Sequence, residues 1–174
     1  MWDLEMLRPF ISIDPGTSVI MEYMKLTSPA FEHQGVIPTK YTQWGEDINP
    51  QLHVSGVPEE AVSLVLIMDD PDVPDDAPVD VWDHWVVFNI PSSVAEIPEH
   101  WGVQGVRGIG TRQSLTYSGP KPPDREHRYF FKLYALDAIL DLPEGSTKSE
   151  VEQAMQGQVI EQAELIGRCA PQNA

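Results

Sequence analysis

A mainly β fold with a helical segment near the end of the chain is what the sequence predicts, on three observations. Val62 to Met68 is a nearly continuous apolar run of strand length, and Tyr129 to Leu136 carries aromatic and aliphatic side chains on both faces of an extended segment. Period-two alternation runs through Trp85 to Ile90. Only after Thr147 does the apolar period lengthen to that of a helix. The 174 residues suffice for one domain with a substantial core, so residues 1–174 are read as a single domain.

Taken in order, Phe10, Ile11 and Ile13 before the turn residues Asp14-Pro15-Gly16, and then Val19 to Met21, predict a first strand or two. From Met24 to Thr42, Leu26, Phe31, Val36 and Ile37 are interrupted by Pro29, Gly35 and Pro38, which gives short strands joined by loops. Leu52-His53-Val54 leads to a turn at Gly56 to Glu60, and Val62 to Met68 follows as the central strand. Asp69 to Asp83 holds seven aspartates, three prolines and no basic residue, so its middle must be an exposed loop. In the next strand His84, Val86 and Phe88 are expected on one face, with Trp85, Val87 and Asn89 on the other.

Pro91 to Pro120 reads as a long, structured loop region. Thr147-Lys148-Ser149-Glu150 has the spacing of a capping box, and Val151, Ala154, Met155, Val159 and Ala163 recur at helical spacing. A C-terminal helix is expected there, in two pieces around Gly157, ending at Leu165-Ile166-Gly167 and packed on the sheet.

Eleven basic against 27 acidic residues give a formal charge of −16, which opposes attraction to nucleic acid or to an acidic membrane. Any anion the chain binds must be held by a local cluster that overrides this field. The single cysteine, Cys169, leaves no intrachain disulfide framework and no four-thiolate zinc pattern. Neither a basic, apolar leader nor a stretch of membrane-spanning length is present, and a reducing, cytoplasmic location without integral membrane association is the simplest expectation.

Three polar intrusions break the apolar runs: Asp70 after the central strand, His84 at the start of the next, and His127 at the start of the last. Histidine and aspartate are uncommon in strands unless they meet a partner or a ligand. Alternation puts His127, Tyr129, Phe131 and Leu133 on one side of their strand. If the two preceding strands are antiparallel neighbours, Asp70 and His84 meet as well. Imidazole N–H groups and a phenol donate to phosphate-like oxygens, while Asp70 orients the histidine or accepts from a cationic part of the ligand. A small phosphorylated or zwitterionic ligand fits this two-sided polarity. Trp82 and Trp85 are candidate apolar walls.

Each of these residues also has a plainer reading, as a strand-end or turn residue satisfied by backbone groups; it is their coincidence at corresponding strand ends that points to a pocket. Aspartates with two histidines suggest a metal, but no His-x-x-x-His, clustered-cysteine or calcium-loop spacing accompanies them, so no metal or cofactor is expected. Gly102, Gly105, Gly108 and Gly110 lack the strand-to-helix context of a phosphate-cradling loop. The enzymatic rival is a hydrolase using Asp70, His84 and Ser114 or Ser118; it lacks a nucleophile elbow. A non-catalytic role is therefore expected.

Several stretches resemble the phosphatidylethanolamine-binding protein family in its bacterial and archaeal, Raf kinase inhibitor-like branch. They are Ser28 to Phe31, Gly56-Val57-Pro58, Asp69 to Pro74, His84 to Val87, Gly119-Pro120-Lys121-Pro122-Pro123 and His127 to Asp137. The likeness runs from about Leu26 to Gly167. It implies a Greek-key β-sandwich with peripheral helices and a small anion-binding cavity at one end, lined by Asp70, His84, His127 and Tyr129, with Pro122 and Pro123 on the rim. It also implies homodimer formation and a regulatory role, and it names no protein target. The chain departs from the family pattern around His53-Val54, at Gly108 to Thr116, and at Gln158, where relatives often carry a histidine. The competing reading is a protein-interaction module, modulating a kinase or protease, whose cavity is only a packed strand end.

Overall fold

The computed structural model describes residues 22–172, so the strands expected before Glu22 lie outside the described residues. Among the described residues, nine strands form two sheets. β1 (Lys25–Thr27), β3 (Leu52–Ser55) and β6 (Glu96–Ile97) make a three-stranded antiparallel sheet in the order β1-β3-β6. The larger sheet joins β2 (Gly35–Val36), β4 (Ser63–Asp70), β5 (Trp82–Pro91), β7 (Val106–Arg107), β8 (His127–Leu136) and β9 (Val159–Cys169). Its order is β2-β9-β8-β4-β5-β7, antiparallel except for the parallel β2–β9 pair, and hence mixed.

β4 is central, and every one of its residues is buried. Leu64, Leu66 and Met68 point into a core shared by the two sheets, with Leu26, Leu52, Val54 and Ile97 from the small sheet and Phe131 and Leu133 from β8. Val65 and Ile67 point the other way, onto a second cluster with Val86, Phe88, Val151 and Met155. Burial on both faces is why this strand reads as unbroken hydrophobicity rather than alternation. Each of its large side chains contributes roughly 1.5–3 kcal/mol.

α1 (Lys148–Met155) begins with the expected capping box: Thr147 accepts from the Glu150 amide, and the Glu150 carboxylate accepts from the Thr147 amide. The helix stops earlier than its pattern predicts. Gly157, at φ +78°, turns the chain, and Val159 to Cys169 forms β9 instead of a second helical piece. Pairing along the whole of β8, from Leu136↔Val159 to His127↔Cys169, overrides the helical spacing of Val159 and Ala163. Cys169 is consequently a buried strand residue. Gln158 lies in the turn before β9 and does not line the cavity described below. Besides α1, the described residues contain one short 3-10 turn, Thr39–Tyr41, and no helix long and apolar enough to cross a membrane.

Candidate functional site

β4 ends at Asp70 where β5 and β8 begin, so antiparallel pairing brings the termini of three strands to one end of the sheet. A cavity of about 420 Å³ opens there, and Asp70, His84, Pro122, Pro123, His127 and Tyr129 all line it. Their pairings differ from the sequence-based expectation. Asp70 does not meet His84; its Oδ2 lies 2.7 Å from Nδ1 of His127, and its Oδ1 accepts from the Asp72 amide at 2.8 Å. The second nitrogen of His127 lies 2.7 Å from Oδ1 of Asp124. His84 Nδ1 instead donates to the backbone carbonyl of Ser118 at 2.6 Å.

A bulge explains where His84 points. Met68 pairs with Trp85, yet the next residue of β4, Asp69, pairs with Asp83, so β5 carries an extra residue at this step. Strict alternation would have put His84 with Val86 and Phe88. The bulge turns it to the opposite side, edge-on to Tyr129 with ring centroids 5.2 Å apart. Asp83 joins the face of Asp69, where Lys148 bridges both, at 2.6 Å to Asp69 and 3.2 Å to Asp83. His127, Tyr129, Phe131 and Leu133 share one buried face of β8, as their spacing predicts. Trp82 lines the cavity, whereas Trp85 lies in the core against Trp101 and Tyr117.

The rim is held from outside the strands. Asp47 accepts from the Gly119 amide at 2.6 Å, and Gln43 donates its side-chain amide to the Gly119 carbonyl at 2.8 Å and its backbone amide to Pro120 at 3.1 Å. A Cβ on Gly119 would lie 2.3 Å from the Tyr41 carbonyl, so only glycine permits this approach. Thr111 clamps Asp83 in both directions, donating its backbone amide to the Asp83 carbonyl and accepting the Asp83 amide on its hydroxyl. That fixes Arg112 at the cavity beside the start of β5. The acidic loop is tied down by Arg128, whose Nε and Nη2 donate to the two Asp72 oxygens at 2.9 and 2.8 Å.

Electrostatically the floor and rim differ. Burial drives His84 down to about 4, so the ring is neutral at pH 7. Burial also raises the Asp70 carboxyl, against the opposing hydrogen bond from His127, and keeps the Tyr129 phenol protonated. The cations at the cavity are Arg112 and Lys121, neither of which was singled out from the sequence. Both were within reach of the charge argument, because a chain of net charge −16 that holds an anion needs local cations. Lys121 even lies inside the quoted Gly119–Pro123 motif.

The hydrolase arrangement does not form. Asp70 is engaged with His127, His84 meets the carbonyl rather than the hydroxyl of Ser118, and Ser114 Oγ lies 2.9 Å from Thr116 Oγ1, outside the residues lining the cavity. No group of three or more potential ligands suited to a metal ion occurs among the described residues.

Comparison with known proteins adds an independent line. Residues 27–170 match the family model described as phosphatidylethanolamine-binding protein. The chain is 48% identical over 150 residues to a UPF0098 protein of Methanothermobacter thermautotrophicus, covering 83% of this chain and 97% of the relative. It is similar to the crystal structure of a putative phosphatidylethanolamine-binding protein homolog, CT736, from Chlamydia trachomatis. That match has TM-score 0.83 and 44% identity, and covers 85% of this chain and 97% of the other. E. coli YbcL, described as a member of the mammalian PEBP family, superposes with TM-score 0.76 at 27% identity, over 83% and 96% of the two chains.

Proposed function

The chain belongs to the phosphatidylethanolamine-binding protein family, among its bacterial and archaeal members, and from that premise we propose that it is a non-catalytic protein binding a small phosphorylated or zwitterionic ligand in the cavity at the end of β4, β5 and β8. The observation that carries this reading is the company the cavity keeps. In a chain of net charge −16, Arg112 and Lys121 stand at the same recess as Tyr129, His84 and the Asp70–His127 pair. An anion there accepts from cations at short range, where solvent and salt screen least. The Greek-key β-sandwich is part of the same reading, with the shared apolar core as its support.

Titration of the protein with phosphate, O-phosphorylethanolamine and a neutral isostere, followed by NMR chemical shifts, tests the proposal. Saturable shifts centred on His84, His127 and Tyr129 with the two phosphorylated probes are expected. No response at millimolar ligand would reject it, and would leave the cavity as a packed strand end of an interaction module.

A further inference from the structure

The imidazole N–H groups at the cavity are already spent inside the protein. Both ring nitrogens of His127 lie 2.7 Å from carboxylate oxygens, of Asp70 and of Asp124. His84 Nδ1 donates to the Ser118 carbonyl, which can only accept, so the neutral ring carries its lone pair on Nε2. Nε2 has no hydrogen-bond partner among the described residues. With His84 held at about 4 by burial, that nitrogen remains an acceptor throughout the neutral range. The Asp70 carboxyl, which also lines the recess, adds further acceptor capacity.

The donors are elsewhere. Arg112 and Lys121 are exposed cations lining the cavity, and the Tyr129 hydroxyl has no partner among the described residues. A ligand satisfying this arrangement needs oxygens that accept on one side and an acidic proton to give on the other. Fully deprotonated oxyanions and diesters set a lone pair against a lone pair at Nε2, and an unmatched polar contact in a buried site is where selectivity arises.

Resting on the anion-site reading above, we infer that the recess selects phosphate monoesters bearing one acidic proton, whose P–O–H donates to Nε2 of His84 while the remaining oxygens accept from Arg112, Lys121 and Tyr129. Phosphodiesters, lipid headgroups included, and sulfate lack that proton and are discriminated against.

Calorimetric titration of the intact protein with methyl phosphate, dimethyl phosphate and sulfate tests this, at about pH 5.5, below the second ionisation of a phosphate ester near 6. Saturable binding of methyl phosphate is expected, with the other two at least about tenfold weaker. Equal affinity for the three overturns monoester selection and leaves the anion site standing. Binding of none at millimolar concentration overturns both. A His84→Gln variant, whose amide can turn an N–H toward the ligand, is expected to bind sulfate and methyl phosphate within about threefold of each other, on the same donor–acceptor argument. A folded H84Q protein that keeps the full gap overturns the role assigned to Nε2, and the wild-type comparison decides the inference whether or not that variant folds.

Discussion

Burying His84 as a neutral ring couples the site to the stability of the protein. The unfolded chain takes up a proton near 6.5, whereas the folded state resists it down to about 4. The depressed value thus costs nothing above pH 6.5 and lowers stability as the pH falls towards 4, by an amount of order 3 kcal/mol. Urea unfolding of wild type and H84Q at several pH values between 7 and 4.5 should show the wild type losing stability more steeply. Parallel curves would mean that His84 is not held neutral. At the same scale, R112Q and K121Q should each weaken phosphate binding by about tenfold, the loss of one charge-assisted hydrogen bond at a partly exposed site. Calorimetry reads that change directly, and unchanged affinity would remove the two cations from the site.

Among the elements, α1 and β9 show what local pattern can and cannot reveal. The capping box was legible because it closes within four residues, and T147A should cost about 1 kcal/mol in chemical denaturation. β9 was not legible. Most of its residues are half-exposed or exposed, and Glu161, Ala163 and Glu164 are ordinary helix formers, so only the distant partner β8 makes it a strand. Gly167, which the sequence offers as a helix end, instead lets β9 pass close to Ile37. A Cβ there would lie 2.4 Å from an Ile37 side-chain carbon, so Gly167→Ala should destabilise by about 1–3 kcal/mol, read as a shifted urea midpoint. The bulge in β5 is the same kind of blind spot. Nothing around His84 announces an extra residue, because a bulge is defined by the register with β4. The side chains that spacing puts at the strand ends line one recess, with partners other than those spacing suggests: His127 takes Asp70, and a carbonyl 34 residues away takes His84.

Across the whole molecule, the surface and the site pull in opposite directions. A net charge of −16 lowers the concentration of anions near the protein, and the acidic loop between β4 and β5 adds to that field beside the cavity mouth. Arg128 neutralises part of it, holding the Asp72 carboxyl down to about 2 and pinning the loop to the start of β8. Behind the sheet, Lys148 and Lys132 meet Asp69 at 2.6 and 2.9 Å, which ties the first turn of α1 to the strand that supplies Asp70. The site end of the fold is thus braced on both faces, as a preorganised binding recess requires. A crystal structure of the protein soaked with methyl phosphate tests the central claim most directly. Tetrahedral density in the recess, within hydrogen-bonding distance of His84 Nε2, the Tyr129 hydroxyl and Arg112, is the predicted result; an empty recess at saturating ligand, or density bound elsewhere, would contradict it.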